Sequence, residues 1–374
     1  MSQVIRFLYK KILKPILFLF SADFTHSLFM LKGDVLGKIS FCRYLVRKMF
    51  DFKDESLNQK IVGIDFKNPL GLAAGFDYDA KLINILPSIG FGFETVGTLT
   101  NEPYSGNPKP MLGRLPKSKS ILVNKGFKNE GVEKVLARLK KTERSYPVGL
   151  SIGSTNKKYD SFQEIVADIK GGFERASFSD KYFDYYELNI SCPNLINITD
   201  FTERVDSKNG LQVLLNTLKV LNIKKPVFIK MPLEKSFEEI DELVFVTSQF
   251  AFIKGLVVAN LVKDRSNQYL DREELKKVGR GNFSGKPTFE KSNELISYTY
   301  QKYGKNFVII GCGGVFSAED AYLKIKLGAT LVQLITGMIY EGPQLVGDIN
   351  KGLVKLLKKD GYNNIGQAIG VFSG

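Results

Sequence analysis

The stretch "NFVIIGCGGVFSAEDAYLKIKLGATLVQLITG", residues 306–337, contains two apolar segments separated by a segment of helical periodicity. The first segment, "NFVIIGCGG" (306–314), and the last, "ATLVQLITG" (329–337), are short, rich in β-branched residues and end in glycine. Continuous apolar runs bounded by turn residues are typical of strands buried on both faces, as in a parallel sheet. The stretch therefore predicts one β–α–β unit.

The same pattern recurs upstream, where six more strand signals alternate with helical segments such as "NEGVEKVLARLKK". They are "NPLGLAAG" (68–75), "FGFETVGT" (91–98), "YPVGLSIG" (146–153), "FDYYELNIS" (183–191), "KPVFIKMP" (225–232) and "KGLVVAN" (254–260). Eight strands in regular alternation with helices predict an α/β fold, specifically a (β/α)8 TIM barrel. A doubly wound open sheet is the alternative.

Composition and charge exclude several classes of function. Hydrophobic residues make up 44% of the 374 residues and charged residues 25%, as in a globular protein with a sizeable core. The net charge of +14 suits nucleic acid, an anionic membrane surface or anionic small molecules. Because the lysines are scattered beyond the N-terminus and no nucleic-acid-binding spacing accompanies them, we expect no nucleic-acid partner. Three widely spaced cysteines without a CxxC predict a reducing compartment and neither disulfides nor a zinc site.

The N-terminal segment predicts a small helical extension before the barrel. Its apolar residues recur at helical spacing beside a cationic stripe; the apolar set is Ile5, Leu8, Ile12, Ile16 and Leu19, and the stripe is Arg6, Lys10 and Lys14. The charge-free run of residues 15–22 is far shorter than the ~20 residues that a membrane-spanning helix needs. We therefore predict a basic amphipathic helix in the membrane interface. A signal peptide and a helix packed on the main domain are the alternatives.

The C-terminal ends of barrel strands carry the active-site groups in this architecture. The strand signals therefore bring one set of residues around a single mouth: Ala74, Thr98, Ser151, Asn189, Lys230, Asn260, Gly314 and Thr336. In "LNISCPN" (188–194), Cys192 follows the fourth strand and is expected to face this mouth, the alternative being a buried, inert thiol. The single histidine, His26, lies in the N-terminal segment, so a Ser-His-Asp triad is not expected.

The last two strands predict a phosphate site. The glycines of "GCGGVFSAEDA" (311–321) and the segment "TGMIYEGP" (336–343) follow strands seven and eight, where backbone N–H groups commonly hold phosphate. A plain tight turn is the alternative. Lys230 adds a cation, or else is a lysine paired for structural reasons. A mouth with amides, a thiol and a lysine, but no carboxylate pair, favours flavin mononucleotide (FMN) over metal-assisted or glycoside hydrolysis.

Eight motifs, taken together, carry a family resemblance. They are "NPLGLAAGFD", "GFGFETVGTLT", "PYSGNPKPMLGRLP", "GFKNEGV", "NISCPN", "FSGKP", "IIGCGGV" and "GATLVQLITG". In order and spacing the chain resembles the dihydroorotate dehydrogenases, flavin enzymes of pyrimidine synthesis, over about residues 5–355. The N-terminal helices, with "DFTHS" (23–27), resemble those of the membrane-associated, quinone-dependent class (class 2), in which a quinone reaches the flavin between two such helices.

The resemblance implies a role for each matching residue. Cys192 would be the catalytic base, although serine generally stands there in the quinone-dependent class, so a hybrid of membrane helices and thiol base is implied. The FMN contacts would be Ala74, Gly75, Thr98, Ser151, Asn189, Lys230, Ala259, Gly285, Gly314, Ile335 and Thr336. The substrate contacts would be Asn189, Asn194, Asn260, Asn124, Gly126 and Phe127.

Several positions depart from the family pattern. Tyr78 stands where the family has a substrate-binding lysine, and Val123 where it has an asparagine, with Asn124 displaced by one position. Leu261 replaces a threonine after the strand-six asparagine. Ser151 and Ala259 replace the usual flavin-facing asparagine and threonine.

Two lysines are candidates for supplying the missing cation, Lys81 and Lys125. The resemblance implies oxidation of dihydroorotate to orotate through FMN, with a quinone as acceptor, at the cytoplasmic side of the cell membrane. Residues 1–55 would form the membrane and quinone-access module, and residues 56–374 the FMN-binding barrel. One alternative is a divergent FMN barrel that acts on another planar carbonyl or enone compound. Another is a non-catalytic, membrane-associated barrel that binds flavin or phosphate.

Overall fold

A closed barrel of eight parallel strands is the centre of the computed structural model, which describes residues 2–191 and 204–373. Each of the eight predicted segments overlaps one barrel strand, with β4 and β10 each extending one residue beyond the prediction, which confirms the (β/α)8 architecture. Cys192 and Asn194 lie outside the described residues. Around the barrel the strands follow the order β10-β12-β13-β3-β4-β7-β8-β9, with bounds β3 Leu70–Leu72, β4 Phe93–Leu99, β7 Val148–Ile152, β8 Tyr185–Asn189, β9 Val227–Lys230, β10 Ile253–Val258, β12 Val308–Cys312 and β13 Leu331–Leu334.

Helices cover the outside of the barrel, and a helix follows each barrel strand along the chain. Their bounds are α1 Ser2–Leu8, α2 Lys14–Phe18, α3 Ala22–Lys38, α4 Ser40–Phe50, α5 Leu86–Ile89, α6 Val132–Leu139, α7 Phe162–Ser177, α8 Lys208–Lys219, α9 Phe237–Thr247, α10 Arg272–Leu275, α11 Phe289–Tyr303, α12 Ala318–Lys326, α13 Thr336–Glu341 and α14 Leu345–Lys359. Because both faces of the strands are thus covered, nearly every strand position is buried.

A hairpin closes the end of the barrel at which the strands begin. It is formed by β1 (Gln59–Ile61) and β2 (Ile64–Phe66), which pair antiparallel. Phe66 packs edge-to-face on Phe93, and Tyr185 on Phe228, with ring centroids 5.4 Å apart in each pair. These rings fill the interior of the lower barrel, and the cavities described below lie at the opposite end, where the strands finish.

A small antiparallel sheet stands beside the open end and was absent from the sequence prediction. Its strands are β5 (Leu112–Leu115), β6 (Ser120–Val123) and β11 (Asn282–Phe283), with β6 in the middle. Strands β5 and β6 form a hairpin, whereas β11 comes from a segment about 160 residues further along the chain. Such a pairing leaves little trace in local periodicity, because two-residue strands are too short to show alternation.

The N-terminal helical extension is present, and Pro15 shapes its first helix. Between α1 and α2 the residues Tyr9–Leu13 form a π-helical turn, closed by the bond from Lys14 N–H to Tyr9 O. Pro15 has no N–H and so cannot donate the hydrogen bond expected at its position in a regular α-helix. The missing donor accounts for the wider turn just before it. Among the described residues, no helix combines the length and the hydropathy that crossing a membrane requires.

The cationic stripe contacts the barrel while its side chains stay partly exposed. Arg6 pairs with Asp348 at 2.7 Å, Lys10 pairs with Glu341, and the Lys14 ammonium donates to Tyr340 O at 3.2 Å. The side chains of this extension that remain exposed are largely apolar, among them Phe7 (60% exposed), Ile12, Ile16, Leu19 (83% exposed), Phe24, Leu31, Phe41 and Leu45. The predicted apolar face is therefore correct, but the basic residues beside it hold the helix on the barrel.

Candidate active site

Three cavities follow one another from the barrel mouth to the N-terminal helices. The first, of about 80 Å³, lies between the loops after β12 and β13 and is called the glycine cavity. The second, of about 140 Å³, lies over the mouth beneath the loops that carry Tyr78 and Lys125 and is called the central cavity. The third, of about 310 Å³, lies between α1–α4 and the barrel and is called the helical cavity.

The cavities form one path because neighbours share wall residues. The glycine and central cavities have in common Lys230, Asn260, Ser284, Ile335 and Thr336, among others. The central and helical cavities have in common His26, Phe76, Leu112, Ile121 and Ile339. A planar ligand at the mouth would therefore be accessible to a second molecule from two directions, through the helical cavity and from the side of the loops above the barrel.

The glycine cavity offers unpaired backbone donors. Gly313 and Gly314 have φ angles of +116° and +70°, the left-handed region in which a side chain is strained. A Cβ added at Gly337 would lie 2.0 Å from Val315 O, so the two loops meet too closely for any larger residue. Among the N–H groups of residues that line this cavity, those of Gly314, Val315, Thr336 and Gly337 form no hydrogen bond within the described part of the chain. Converging unpaired N–H groups of this kind suit a phosphate.

A chain of buried polar side chains crosses the barrel mouth. Asn189 Nδ2 donates to Thr98 Oγ1 at 2.9 Å, and the Thr98 and Ser151 hydroxyls lie 2.9 Å apart. Ser151 in turn donates to Glu187 Oε1 at 2.9 Å. Strand register brings these groups together, because Ser151 pairs with Glu187 and Asn189 pairs with Lys230 in adjacent parallel strands.

Lys230 is buried beside this chain, with 4% of its surface exposed. Burial alone would lower the pKa of Lys230, but Glu187 and Cys312 raise it above its ordinary value. Glu187 Oε2 is itself buried and has no hydrogen-bond partner among the described residues. Lys230 thus supplies a positive charge at the mouth, where a ligand's polar edge would lie.

Glu187 was not predicted as a site residue, although an acidic residue inside the apolar strand "FDYYELNIS" was an available signal. A buried carboxylate within a barrel strand requires a partner, and a lysine ending the next strand is the natural one. The alternative of a structurally paired Lys230 is supported only by the effect of Glu187 on the Lys230 pKa, since no ion pair or hydrogen bond joins the two side chains within the described residues. It is compatible with a ligand contact because Lys230 also lines two of the cavities.

Most of the predicted site residues line these cavities. Those in the walls are Ala74, Gly75, Thr98, Gly126, Phe127, Asn189, Lys230, Ala259, Asn260, Gly285, Gly314, Ile335 and Thr336. Ser151 lies behind Thr98, and the Asn124 side chain turns aside to accept a hydrogen bond from Asn107 Nδ2 at 3.0 Å. Asn260 donates to Ser191 Oγ at 2.8 Å.

His26 lies where the central and helical cavities join. Its Nε2 donates to Phe76 O at 3.0 Å, and burial lowers the pKa of His26 to about 3, so the ring is neutral. The helical cavity is otherwise mostly apolar, with Arg114 as a polar group that donates to Phe20 O at 2.6 Å and Thr25 Oγ1 at 2.8 Å. An apolar channel with a few polar groups suits a hydrophobic ring compound. Within residues 2–191 and 204–373, no cluster of histidine, cysteine and carboxylate side chains could hold a metal ion.

Comparison with known proteins agrees with this geometry. The family model described as dihydroorotate dehydrogenase, a flavin-dependent family, matches residues 56–357. The dihydroorotate dehydrogenase (quinone) of Christiangramia forsetii is 38% identical, over 94% of this chain and 99% of the relative, and that of Bartonella tribocorum is 35% identical, over 83% and 85%. The crystal structure of the Eimeria tenella dihydroorotate dehydrogenase in complex with ferulenol superposes with a TM-score of 0.80 at 26% identity, covering 94% of this chain and 96% of the other. This chain therefore belongs to the dihydroorotate dehydrogenase family and resembles its quinone-dependent class.

Proposed function

We propose that this protein oxidises dihydroorotate to orotate in pyrimidine (UMP) synthesis, with FMN at the barrel mouth and a quinone as electron acceptor. The observation that carries the proposal is the continuous path from the glycine cavity, past Lys230 and Asn189, into the apolar helical cavity. It offers a phosphate site, a charged edge for a flavin ring and a separate route for a hydrophobic acceptor.

The residues present fit FMN. The unpaired N–H groups of the glycine cavity would hold its phosphate, and Lys230 with Asn189 and Thr98 would contact the polar edge of its ring. Bound FMN would supply the hydride acceptor for the reaction. Because Lys230 is a buried cation whose pKa Glu187 helps to raise, negative charge at that edge would be stabilised without rearrangement of the protein.

The substrate ring would lie in the central cavity. Asn189 and Asn260 offer amide donors and acceptors to a planar pyrimidine, and Asn194 would complete the set. Gly126 and Phe127 form the loop above it. We propose Cys192 as the base that removes the proton from C5 of dihydroorotate, since a thiol with an ordinary pKa of about 8.5 ionises readily beside a cation.

The helical extension would link the barrel to its acceptor. We propose that residues 1–55 act as a membrane and quinone-access module and residues 56–374 as the FMN-binding barrel. The exposed apolar side chains of the extension would lie in the interface of the cytoplasmic leaflet, as a peripheral attachment. A quinone would then enter the helical cavity directly from the lipid.

Anaerobic mixing with dihydroorotate tests the proposal. The purified protein should be yellow, and dihydroorotate should bleach the flavin within seconds. A yellow protein that millimolar dihydroorotate does not bleach would favour the divergent oxidoreductase, for which the apolar Val123 and Leu261 in the cavity wall are the supporting observation. A colourless, flavin-free preparation would favour a non-catalytic binding protein.

A further inference from the structure

Lys125 is a buried cation that lines the central cavity without an anionic partner. Only 7% of its surface is exposed. Its ammonium lies 4.2 Å from the centre of the Tyr78 ring and forms neither a hydrogen bond nor an ion pair within the described part of the chain. Buried charges in proteins are ordinarily paired, and an aromatic face compensates for lost hydration only in part. The structure therefore leaves one anion to be supplied by a ligand.

The other lysines near the cavity are less suited to this role. Lys81, the second candidate for the missing cation, is engaged in ion pairs with Asp79 at 3.4 Å and Glu130 at 3.1 Å. Lys230, like Lys125, forms no ion pair or hydrogen bond within the described part of the chain, but Glu187 helps to raise its pKa, and Lys230 lies at the barrel mouth, where it is proposed to contact the flavin. Lys128 lines the same cavity as Lys125 but is more exposed, so water screens its charge more strongly.

We infer that Lys125, supported on the ring of Tyr78, binds the carboxylate of the substrate. This inference rests on the proposed function, since dihydroorotate and orotate both carry one carboxylate on the pyrimidine ring. It also accounts for the tyrosine at position 78. In this chain the cavity cation is Lys125, on the loop after β6, whereas the family's lysine stands on the loop after β3. Tyr78 occupies that second position, and the Lys125 ammonium lies over its ring.

The charges around Lys125 determine the pH range in which it acts. Burial lowers the pKa of Lys125 to about 7, while Asp23 on α3 raises it and Lys128 on the same loop lowers it. His26, also on α3, is neutral, and Tyr78 presents its ring face. In the ligand-free protein Lys125 is therefore charged below pH 7 and loses its proton above it. A bound carboxylate favours the charged form, so orotate affinity should fall as pH rises above 7.

The test measures orotate binding to the full-length, flavin-loaded protein by calorimetry and by the shift in flavin absorbance. Uracil, which lacks the carboxylate, is the comparison ligand. We expect Lys125→Met to raise the Kd for orotate roughly 10- to 100-fold, the scale of a hydrogen bond to a charged group, and to leave the Kd for uracil unchanged. The matched control Lys128→Met should change the orotate Kd by less than about fivefold, as for a screened charge.

Two further measurements keep the test decisive. The double variant Tyr78→Lys/Lys125→Met should restore orotate binding. A lysine at position 78 would replace the ring over which Lys125 lies and could bring its ammonium to the same part of the cavity. In the unmodified protein, the orotate Kd should rise between about pH 6 and pH 8.5, on either side of the Lys125 pKa.

The outcomes separate the inference from the proposed function. If the unmodified protein neither binds orotate nor is bleached by dihydroorotate, the proposed function fails. If it does both, the proposed function stands, and an orotate Kd that Lys125→Met leaves unchanged overturns only the role of Lys125. If that variant does not fold, a flat pH profile of the orotate Kd in the unmodified protein overturns that role instead.

Discussion

At the scale of single residues, Lys230 and Glu187 illustrate how charge is maintained inside the barrel. Each is buried, and each would be costly to bury alone. They lie on adjacent strands, and the pKa of Lys230 stays above its ordinary value because of that neighbour, in spite of burial. The pair therefore keeps a permanent cation at the place where a flavin edge would lie.

Removing this cation should destabilise the fold as well as the flavin site. We expect Lys230→Met to lower the free energy of unfolding by about 3–5 kcal/mol, because the buried Glu187 side chain loses the positive charge beside it. Urea denaturation monitored by circular dichroism measures the change. The double variant Lys230→Met/Glu187→Gln should recover most of the loss, and a double variant no more stable than the single one would contradict the coupling.

Cys192 provides a second prediction at this scale. Cys192→Ala should slow anaerobic bleaching by dihydroorotate roughly 10²- to 10⁴-fold, the usual effect of removing a general base, while the flavin stays bound. Stopped-flow absorbance gives the rate, and the visible spectrum before mixing confirms flavin occupancy. In Cys192→Ser the less acidic hydroxyl should need a higher pH than the thiol to reach its plateau rate. Full activity of that variant at neutral pH would argue against a special role for the thiol.

At the scale of elements, the first helix is held on the barrel by several weak contacts. Its basic side chains reach Asp348, Glu341 and Tyr340 O, and the Tyr9 hydroxyl donates to Ile339 O at 2.6 Å. Partly exposed ion pairs contribute about 0–1 kcal/mol each, so no single pair decides the position of the helix. Together they direct the basic side to the protein and the apolar side outward.

Charge reversal should reveal this attachment. We expect Lys10→Glu to reduce turnover with a hydrophobic quinone in detergent by about two- to fivefold, because repulsion from Glu341 opens one side of the helical cavity. Flavin bleaching by dihydroorotate should be unchanged. Lys11→Glu is the matched control, since Lys11 is exposed on the same turn and forms no ion pair with the described residues.

The exchange of both charges completes the experiment. Lys10→Glu/Glu341→Lys should recover quinone turnover, because the pair is rebuilt with its signs reversed. Equal losses in Lys10→Glu and Lys11→Glu would mean that helix attachment is not what the substitution affects.

At the scale of the whole molecule, the architecture separates two routes to one site. The β1–β2 hairpin and the aromatic rings above it close one end of the barrel, and the loops carrying Tyr78 and Lys125 lie over the other. The helical cavity opens the mouth sideways, between the barrel and α1–α4. A polar substrate can thus enter from the side of the loops and a hydrophobic acceptor through the helical cavity.

Deleting residues 1–50 should separate the two half-reactions. Tyr9 through Phe50 supply one wall of the helical cavity, so reduction of hydrophobic quinones should be lost. Flavin bleaching by dihydroorotate should persist, because the glycine cavity and the polar chain at the mouth lie wholly in the barrel. Anaerobic bleaching followed by quinone addition measures both steps.

A water-soluble artificial electron acceptor is the control for this deletion. It should reoxidise the truncated protein at the rate seen with the full-length chain, provided thermal melting shows a folded barrel. A folded, truncated protein that still reduces a hydrophobic quinone at the full rate would contradict the proposed route.

The sequence by itself determined the barrel, the glycine cavity and the apolar face of the first helix. Each depends on local order: buried runs between turn residues, glycines where a strand joins a helix, and apolar residues at a fixed period. All eight strands were predictable for this reason, and so was the side of the barrel on which Lys230 and Asn260 meet.

Only the tertiary structure decided which charged groups meet. Glu187 comes near Lys230 because β8 and β9 are adjacent in the barrel, Lys81 is engaged by Glu130, and Lys125 is left unpaired over Tyr78. The contact of the basic stripe with α13 and α14, and the β5–β6–β11 sheet, likewise join segments more than a hundred residues apart. Coulomb energy and burial depend on distance in space, which local periodicity does not specify.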